Sequence, residues 1–291
     1  MTSIIAENEF GQIKHVARTD QMNTLEITHQ TCTAKISLYA GQVLAWQPVN
    51  QQPVFWLSND AIFAQGTPIR GGIPLCWPWF GPYQAPSGET AGNHGFARQR
   101  SWQLGEVNIN KENVDVTLFL SGKDEHTLWP HHYQLKQVLI FSTGFEQKLF
   151  ISNLSSVAFE YSGALHSYFA VSHPENAQIS SLADFPFDDK VTGKEQQLAP
   201  LADCVGEIDR VYYANKACSI EDKQWQRTIN VSSTNCQQWV LWNPGVALAK
   251  NMKDLHDGAE NEFVCVEAAN TNTHVVEANE TVMMGQKVSL Q

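Results

Sequence analysis

A carboxylate that directly follows an apolar strand is costly to bury unless it is paired. Glu267 is such a residue, standing at the end of Phe263-Val264-Cys265-Val266. Strand alternation puts it on the face of Phe263 and Cys265. At the strand's mouth it would be a partly desolvated base, or else the ordinary polar end of a strand. The run Ala164-Leu165-His166-Ser167-Tyr168-Phe169-Ala170-Val171 poses a matching question. As a strand it sets His166, Tyr168 and Ala170 on one face and Leu165, Ser167, Phe169 and Val171 on the other. The first face either lines a pocket or looks into water. A histidine and a carboxylate together would suit general acid–base work.

Other residues suit the holding of a substrate. In Pro68-Ile69-Arg70-Gly71-Gly72-Ile73-Pro74, Arg70 can fork onto a phosphate or carboxylate. The two glycines would let backbone approach a ligand closely. The plain alternative is a tight turn with a solvated arginine. No Gly-Lys-Ser/Thr ending follows, so this is not a nucleotide-type phosphate loop. His94-Gly95-Phe96-Ala97-Arg98 places a histidine on a turn, with Arg98 four residues on, and a structural histidine is the alternative. Asp209, in Glu207-Ile208-Asp209-Arg210-Val211-Tyr212-Tyr213, can bind a sugar hydroxyl or orient a histidine, or belong to an Asp–Arg surface turn. His126, His131 and His132 have no compact ligand spacing, so no metal is expected. Ser167 beside His166 lacks a nucleophile elbow.

The elements that must position these residues read as strands. Val114, Val116, Leu118 and Leu120 alternate with polar or outward residues, as do Leu25 and Ile27, and Leu149 and Ile151. The runs 238–242 and 263–266 read as strands covered on both faces. Gly and Pro punctuate between them, as at Trp129-Pro130 and Asn243-Pro244-Gly245. Short helices are expected only near Ser58–Gln65 and Asn251–His256. The whole is an all-β protein of large antiparallel sheets packed face to face, forming a single domain over residues 1–291. The segment 69–98 is a long excursion rich in Gly, Pro (Pro86 among them) and aromatic residues, a favoured setting for binding residues.

Bulk properties exclude several classes. Of the 291 residues 43% are hydrophobic, enough for a sizeable core. A net charge of −11, from 19 basic and 30 acidic residues, argues against nucleic acid or an anionic membrane as partner. It also repels phosphate at long range, so a phosphorylated substrate needs a local basic site. The six cysteines contain no C-x-x-C pair and read as buried thiols in a reducing compartment. Residues 1–10 have no apolar signal region, and no apolar run reaches the length of a membrane helix. A cytoplasmic monomer is the expectation.

Taken in order, Ile69–Pro74, Trp77-Pro78-Trp79-Phe80-Gly81, His94–Arg98, Leu165–Phe169, Asp209–Tyr212, Val240-Trp242-Asn243-Pro244 and Val266-Glu267 resemble the aldose 1-epimerase superfamily, and within it the hexose-6-phosphate mutarotase branch. The resemblance runs from about Asn23 to the C-terminus. It implies a galactose-mutarotase-like β-supersandwich and glucose-6-phosphate 1-epimerase activity, an isomerase reaction on a small sugar phosphate that needs no cofactor. It further implies His166 as general acid, Glu267 as general base, His94 and Asp209 as holders of the sugar, and Arg70 and Arg98 as the 6-phosphate site.

Other classes remain as alternatives. A non-catalytic carbohydrate-binding sandwich would use Trp77, Trp79 and Trp242 as sugar platforms. A mutarotase of unphosphorylated aldoses would keep the acid–base pair without the phosphate site. A glycosidase would pair Glu267 with Asp209, and a cupin-like isomerase would need a metal.

Overall fold

The computed structural model describes residues 2–17, 22–85 and 87–291, so Pro86 lies outside the described residues. The chain builds two eight-stranded antiparallel sheets, a five-stranded antiparallel sheet from its first fifty residues, and a small two-stranded ribbon. The alternation read from the sequence sets the layering. Along Val114–Lys123, Val114, Val116, Leu118 and Leu120 are buried while the residues between them are half-buried. The strands His132–Phe141 and Phe145–Asn153 alternate in the same way. Their inner faces join Ile27, Ile36 and Trp46 of the five-stranded sheet, and Leu165, Trp239, Leu241, Val264 and Val266 of the other large sheet, in one continuous apolar core. All six cysteines are free and buried.

The two expected short helices are not present. Around Ser58–Gln65 the chain makes a turn in which the Ser58 carbonyl accepts from Ala61 N and its hydroxyl from Asp60 N. Serine here satisfies nearby amides locally, which competes with a helical ladder. Over Asn251–His256 separate three-residue turns occur, with Met252 N bonded to Ala249 O and Leu255 N to Met252 O. The one α-helix among the described residues is the five-residue segment Gly245–Ala249 just before it.

The second large sheet positions the site. Its neighbouring strands are, in order, Lys194–Gln197, Phe187–Asp189, Glu207–Tyr212, Gln238–Pro244, Phe263–Val276, Phe159–Leu165 and Leu75–Cys76, with Tyr168–Ala170 also pairing to Phe263–Val276. One face of this sheet meets the common core. The other carries Cys76, Ala164, Val211, Val240 and Ala269 in one small cluster and Tyr168, Phe263 and Cys265 in another. A cavity opens above these floors.

Candidate active site

Register brings the histidine and the carboxylate together. Leu165 pairs with Ala268, and Tyr168 pairs with Cys265. The same register therefore runs through the gap at 166–167 and sets His166 directly opposite Glu267. Cross-strand partners share a face, and Val240, the partner of Glu267 on its other side, extends that face. The result is a His166 Nδ1 to Glu267 Oε1 distance of 3.3 Å. Both side chains are buried, and Glu267 Oε2 has no protein hydrogen bond. The imidazole stacks on the Tyr168 ring at 4.8 Å with only 7° between planes, while Trp242 meets it edge-on at 6.0 Å. With Nδ1 turned to Glu267, Nε2 is the ring atom left for a substrate.

The excursion 69–98 supplies one wall. His94 has φ 66° and Gly95 φ 63°. A Cβ on Gly95 would lie 2.0 Å from the Trp77 carbonyl oxygen, so only glycine lets the chain lie against Trp77 there. This turn aims His94 inward, its ring 6.0 Å from that of His166. Gly81 N donates to His94 Nδ1 at 3.2 Å, which leaves the proton on Nε2 as a donor. Arg98 gives one hydrogen bond, from Nη2 to Asn93 O at 2.8 Å, and its buried Nε has no partner. Arg70 is engaged on two sides: Nε donates to Asp254 Oδ2 at 3.0 Å and Nη1 to the Tyr168 hydroxyl at 2.8 Å. Gly71 and Gly72 beside it do not serve a ligand approach as the sequence suggests. A Cβ on Gly72 would sit 2.0 Å from Val43 O, and one on Gly71 2.6 Å from Trp56 O, so they allow backbone to pack on backbone.

The opposite wall is acidic. Asp209 pairs with Trp242 and so looks into the cavity. The strand Phe187–Asp189 adds Asp188, held by the Tyr213 hydroxyl at 2.7 Å, with Lys190 Nζ 3.6 Å away. Sequence reasoning missed Asp188, Lys190, Tyr213 and Asp254; the last meets Arg70 across 184 residues of chain, and no local pattern marks it. The cavity, about 680 Å³, is lined by all six residues singled out from the sequence: Arg70, His94, Arg98, His166, Asp209 and Glu267. Of the three tryptophans considered as sugar platforms only Trp242 lines it, while Trp77 and Trp79 are in the core.

Burial shapes the charges. It pushes the Glu267 carboxyl well above the usual carboxylate range, with Asp209 adding and Arg98 opposing. It holds His166 well below the usual imidazole range, helped by His94, Arg98 and Arg70. Burial thus works against the charged form of both members of the pair. Burial, then Arg98 and Arg70, lower His94 to about 3. Burial raises Asp209 to about 6, with Lys190 opposing. Burial works against the charge of Arg70, but Tyr168 and Asp254 outweigh it and keep the guanidinium charged. Among the described residues no group of three His, Cys, Asp or Glu side chains is arranged to hold a metal ion. What the arrangement offers is a proton-shuttling pair under a cavity with one basic and one acidic wall.

Comparison with known proteins gives the family and the fold. Residues 23–289 match the aldose 1-epimerase family. A Salmonella typhimurium protein named "Putative glucose-6-phosphate 1-epimerase" is 35% identical over 254 residues, covering 85% of this chain and 83% of that protein. A protein of the same name from Escherichia coli K12 is 36% identical over 256 residues, covering 86% and 84%. Among solved structures, a "putative mutarotase (YeaD)" from Salmonella typhimurium superposes with a TM-score of 0.85 at 30% identity, covering 99% of this chain and 96% of that one. A galactose mutarotase-like protein from Clostridium acetobutylicum, at 15% identity and a TM-score of 0.74, shares the fold.

Proposed function

The chain belongs to the aldose 1-epimerase family and is a sugar epimerase, and from that premise we propose that its substrate is a hexose 6-phosphate whose α and β anomers it interconverts. The observation that carries the substrate assignment is Arg98: it lines the cavity with the acid–base pair, gives one hydrogen bond to a backbone carbonyl and has no carboxylate partner among the described residues, in a protein whose net charge is −11. A phosphate drawn into this cavity meets a guanidinium with most of its donors free. Arg70 supplies a second positive charge, though Asp254 and Tyr168 already occupy part of its fork.

With the phosphate at the arginines, the pyranose ring lies over the floor of Glu267 and His166. His94 Nε2–H donates to a ring substituent, and Asp209, ionised above about pH 6, accepts from another. Glu267 takes the proton of the C1 hydroxyl while His166 gives one to the ring oxygen, and the C1–O5 bond breaks. The open-chain aldehyde turns about C1–C2. Return of the Glu267 proton to the carbonyl oxygen, and of the O5 proton to His166, closes the other anomer.

This cycle starts with an ionised pair and reaches its midpoint with a neutral one, which is the state the empty site prefers. Substrate binding supplies the missing step. A phosphate dianion compensates Arg70, whose charge lowers the proton affinity of His166 but not that of Glu267. The ionised pair, its members 3.3 Å apart, is then less disfavoured. No metal or redox group takes part in these steps.

Relaxation of freshly dissolved α-glucose 6-phosphate toward anomeric equilibrium, followed by polarimetry beside α-glucose and α-galactose, tests the proposal. Acceleration of the phosphorylated sugar well beyond that of the free sugars is expected. Acceleration of free sugars alone would discard the phosphate site and leave a mutarotase of unphosphorylated aldoses.

A further inference from the structure

Three glutamines occupy inward positions of adjacent strands, where the alternation calls for apolar side chains. Gln137 lies between Leu135 and Leu139, Gln147 between Phe145 and Leu149, and Gln286 between Met284 and Val288, and each is at most 1% exposed. Gln147 and Gln286 are direct cross-strand partners. Their amides form one continuous line of hydrogen bonds. Gln286 Nε2 donates to Ser167 Oγ at 2.8 Å and to Gln147 Oε1 at 2.9 Å. Gln147 Nε2 donates to Gln137 Oε1 at 2.6 Å, and Gln137 Nε2 to the Gly41 carbonyl at 2.6 Å. The next residue, Gln42, is equally buried and donates from Nε2 to Gly71 O at 2.6 Å and Ile69 O at 3.1 Å.

The two ends of this line are the two working parts of the site. Ser167 follows His166 in the gap where regular strand pairing is interrupted. Its side chain points into the core as that of His166 points into the cavity. Ile69 and Gly71 flank Arg70. The two segments also touch directly, through His166 N to Pro74 O at 3.0 Å and Tyr168 N to Gly72 O at 2.9 Å. A buried polar line of this length is expensive in an apolar core unless its members are satisfied, and when satisfied it specifies one arrangement. The amide oxygens of Gln286, Gln147 and Gln137 each accept a hydrogen bond, and only Gln42 Oε1 has no partner among the described residues.

We propose that Ser167, Gln286, Gln147, Gln137 and Gln42 are positioning residues for anomer exchange: they lock the strand break bearing His166 and the turn bearing Arg70 into one frame, so that phosphate anchor and acid meet the same sugar at a fixed separation. This rests on the roles given to His166 and Arg70 under the proposed function. None of the five needs to touch the substrate. Their contribution is expected in turnover rather than in affinity, because the anchor still binds phosphate when the frame is loosened.

The test is Gln147→Met, which keeps the volume and cuts the line at its centre. Initial rates on α-glucose 6-phosphate give kcat and KM, with the thermal midpoint measured in parallel. A loss of tenfold or more in kcat, with KM changed less than about twofold, is expected for a displaced acid. A merely structural role moves the midpoint and leaves the kcat of the folded enzyme at the wild-type value, and that result would overturn the proposal. If Gln147→Met does not fold, Ser167→Ala, which removes only the last link, carries the same comparison and the same two outcomes. A wild-type protein that accelerates no anomer exchange defeats the function itself, and this inference with it.

Discussion

Replacing Arg98 by Met separates phosphate recognition from acid–base chemistry. Arg98 spends one donor on Asn93 O, its Nε is buried and it has no carboxylate partner among the described residues, so three of its five N–H groups remain for a ligand. Two of these reaching a phosphate would form charge-assisted bonds, each worth about 1.5–3 kcal/mol. Allowing for the water both groups give up, the loss on substitution is about 3 kcal/mol, or two factors of ten in kcat/KM. The effect on free glucose is different. Arg98 lowers the proton affinity of His166 and of Glu267 alike, which helps the base and hinders the acid. Its removal should leave glucose turnover within about threefold. Stability should barely change, since one carbonyl contact is lost from a half-buried side chain. The assay is polarimetric relaxation of both sugars with the wild-type and Arg98→Met proteins, alongside a thermal melt. An equal loss on both sugars would refute the reasoning and place Arg98 with the acid–base pair instead of the phosphate.

The remaining predictions concern the other residues of the cavity. Glu267→Gln should leave the fold intact and lower kcat on glucose 6-phosphate about a thousandfold; near-normal turnover would remove Glu267 as the base. The Asp209 carboxyl, raised to about 6, is charged above that pH and neutral below it, so part of the fall in activity from pH 7 to pH 5 should come from its protonation. Asp209→Asn should be slower at pH 7 yet show a flatter profile; the substrate's own phosphate titration cancels in the ratio of the two enzymes, and an unchanged ratio across this range would contradict the assignment. Gly95→Ala would drive a Cβ to 2.0 Å from Trp77 O at φ 63°, and should lower the stability in urea by about 3 kcal/mol or more. An unshifted urea midpoint would mean that the turn relaxes without cost.

Much of the fold was legible because a half-buried strand writes its period into the sequence. Val114–Leu120 and Leu149–Ile151 alternate as expected, and the shared face of His166 and Tyr168 is present. What alternation cannot carry is register. The meeting of His166 with Glu267 depends on how a strand ending at residue 165 lies along one beginning at 263, and no local signal sets that. For the same reason Asp254 was invisible as the partner of Arg70, and Asp188 and Lys190 as the far wall. The glycines of the Arg70 turn were recognised as allowing a close approach, but what approaches is the backbone of Val43 and Trp56. Gln137, Gln147 and Gln286 did leave a trace, as polar residues at inward positions of otherwise regular strands.

In the proposed mechanism the phosphate has two tasks in one site. As an anchor it holds the sugar over the pair; as a counter-charge it relieves the arginine field that keeps His166 neutral. A free hexose brings neither, so its anomer exchange begins from a pair in which burial disfavours both charges. Discrimination between glucose 6-phosphate and glucose should therefore appear in turnover as well as in binding. An uncharged residue at position 98 would remove the anchor and, with it, one cause of the need for the counter-charge. This is why Arg98→Met is expected to narrow the gap between the two sugars from the phosphorylated side, leaving free glucose nearly where it was.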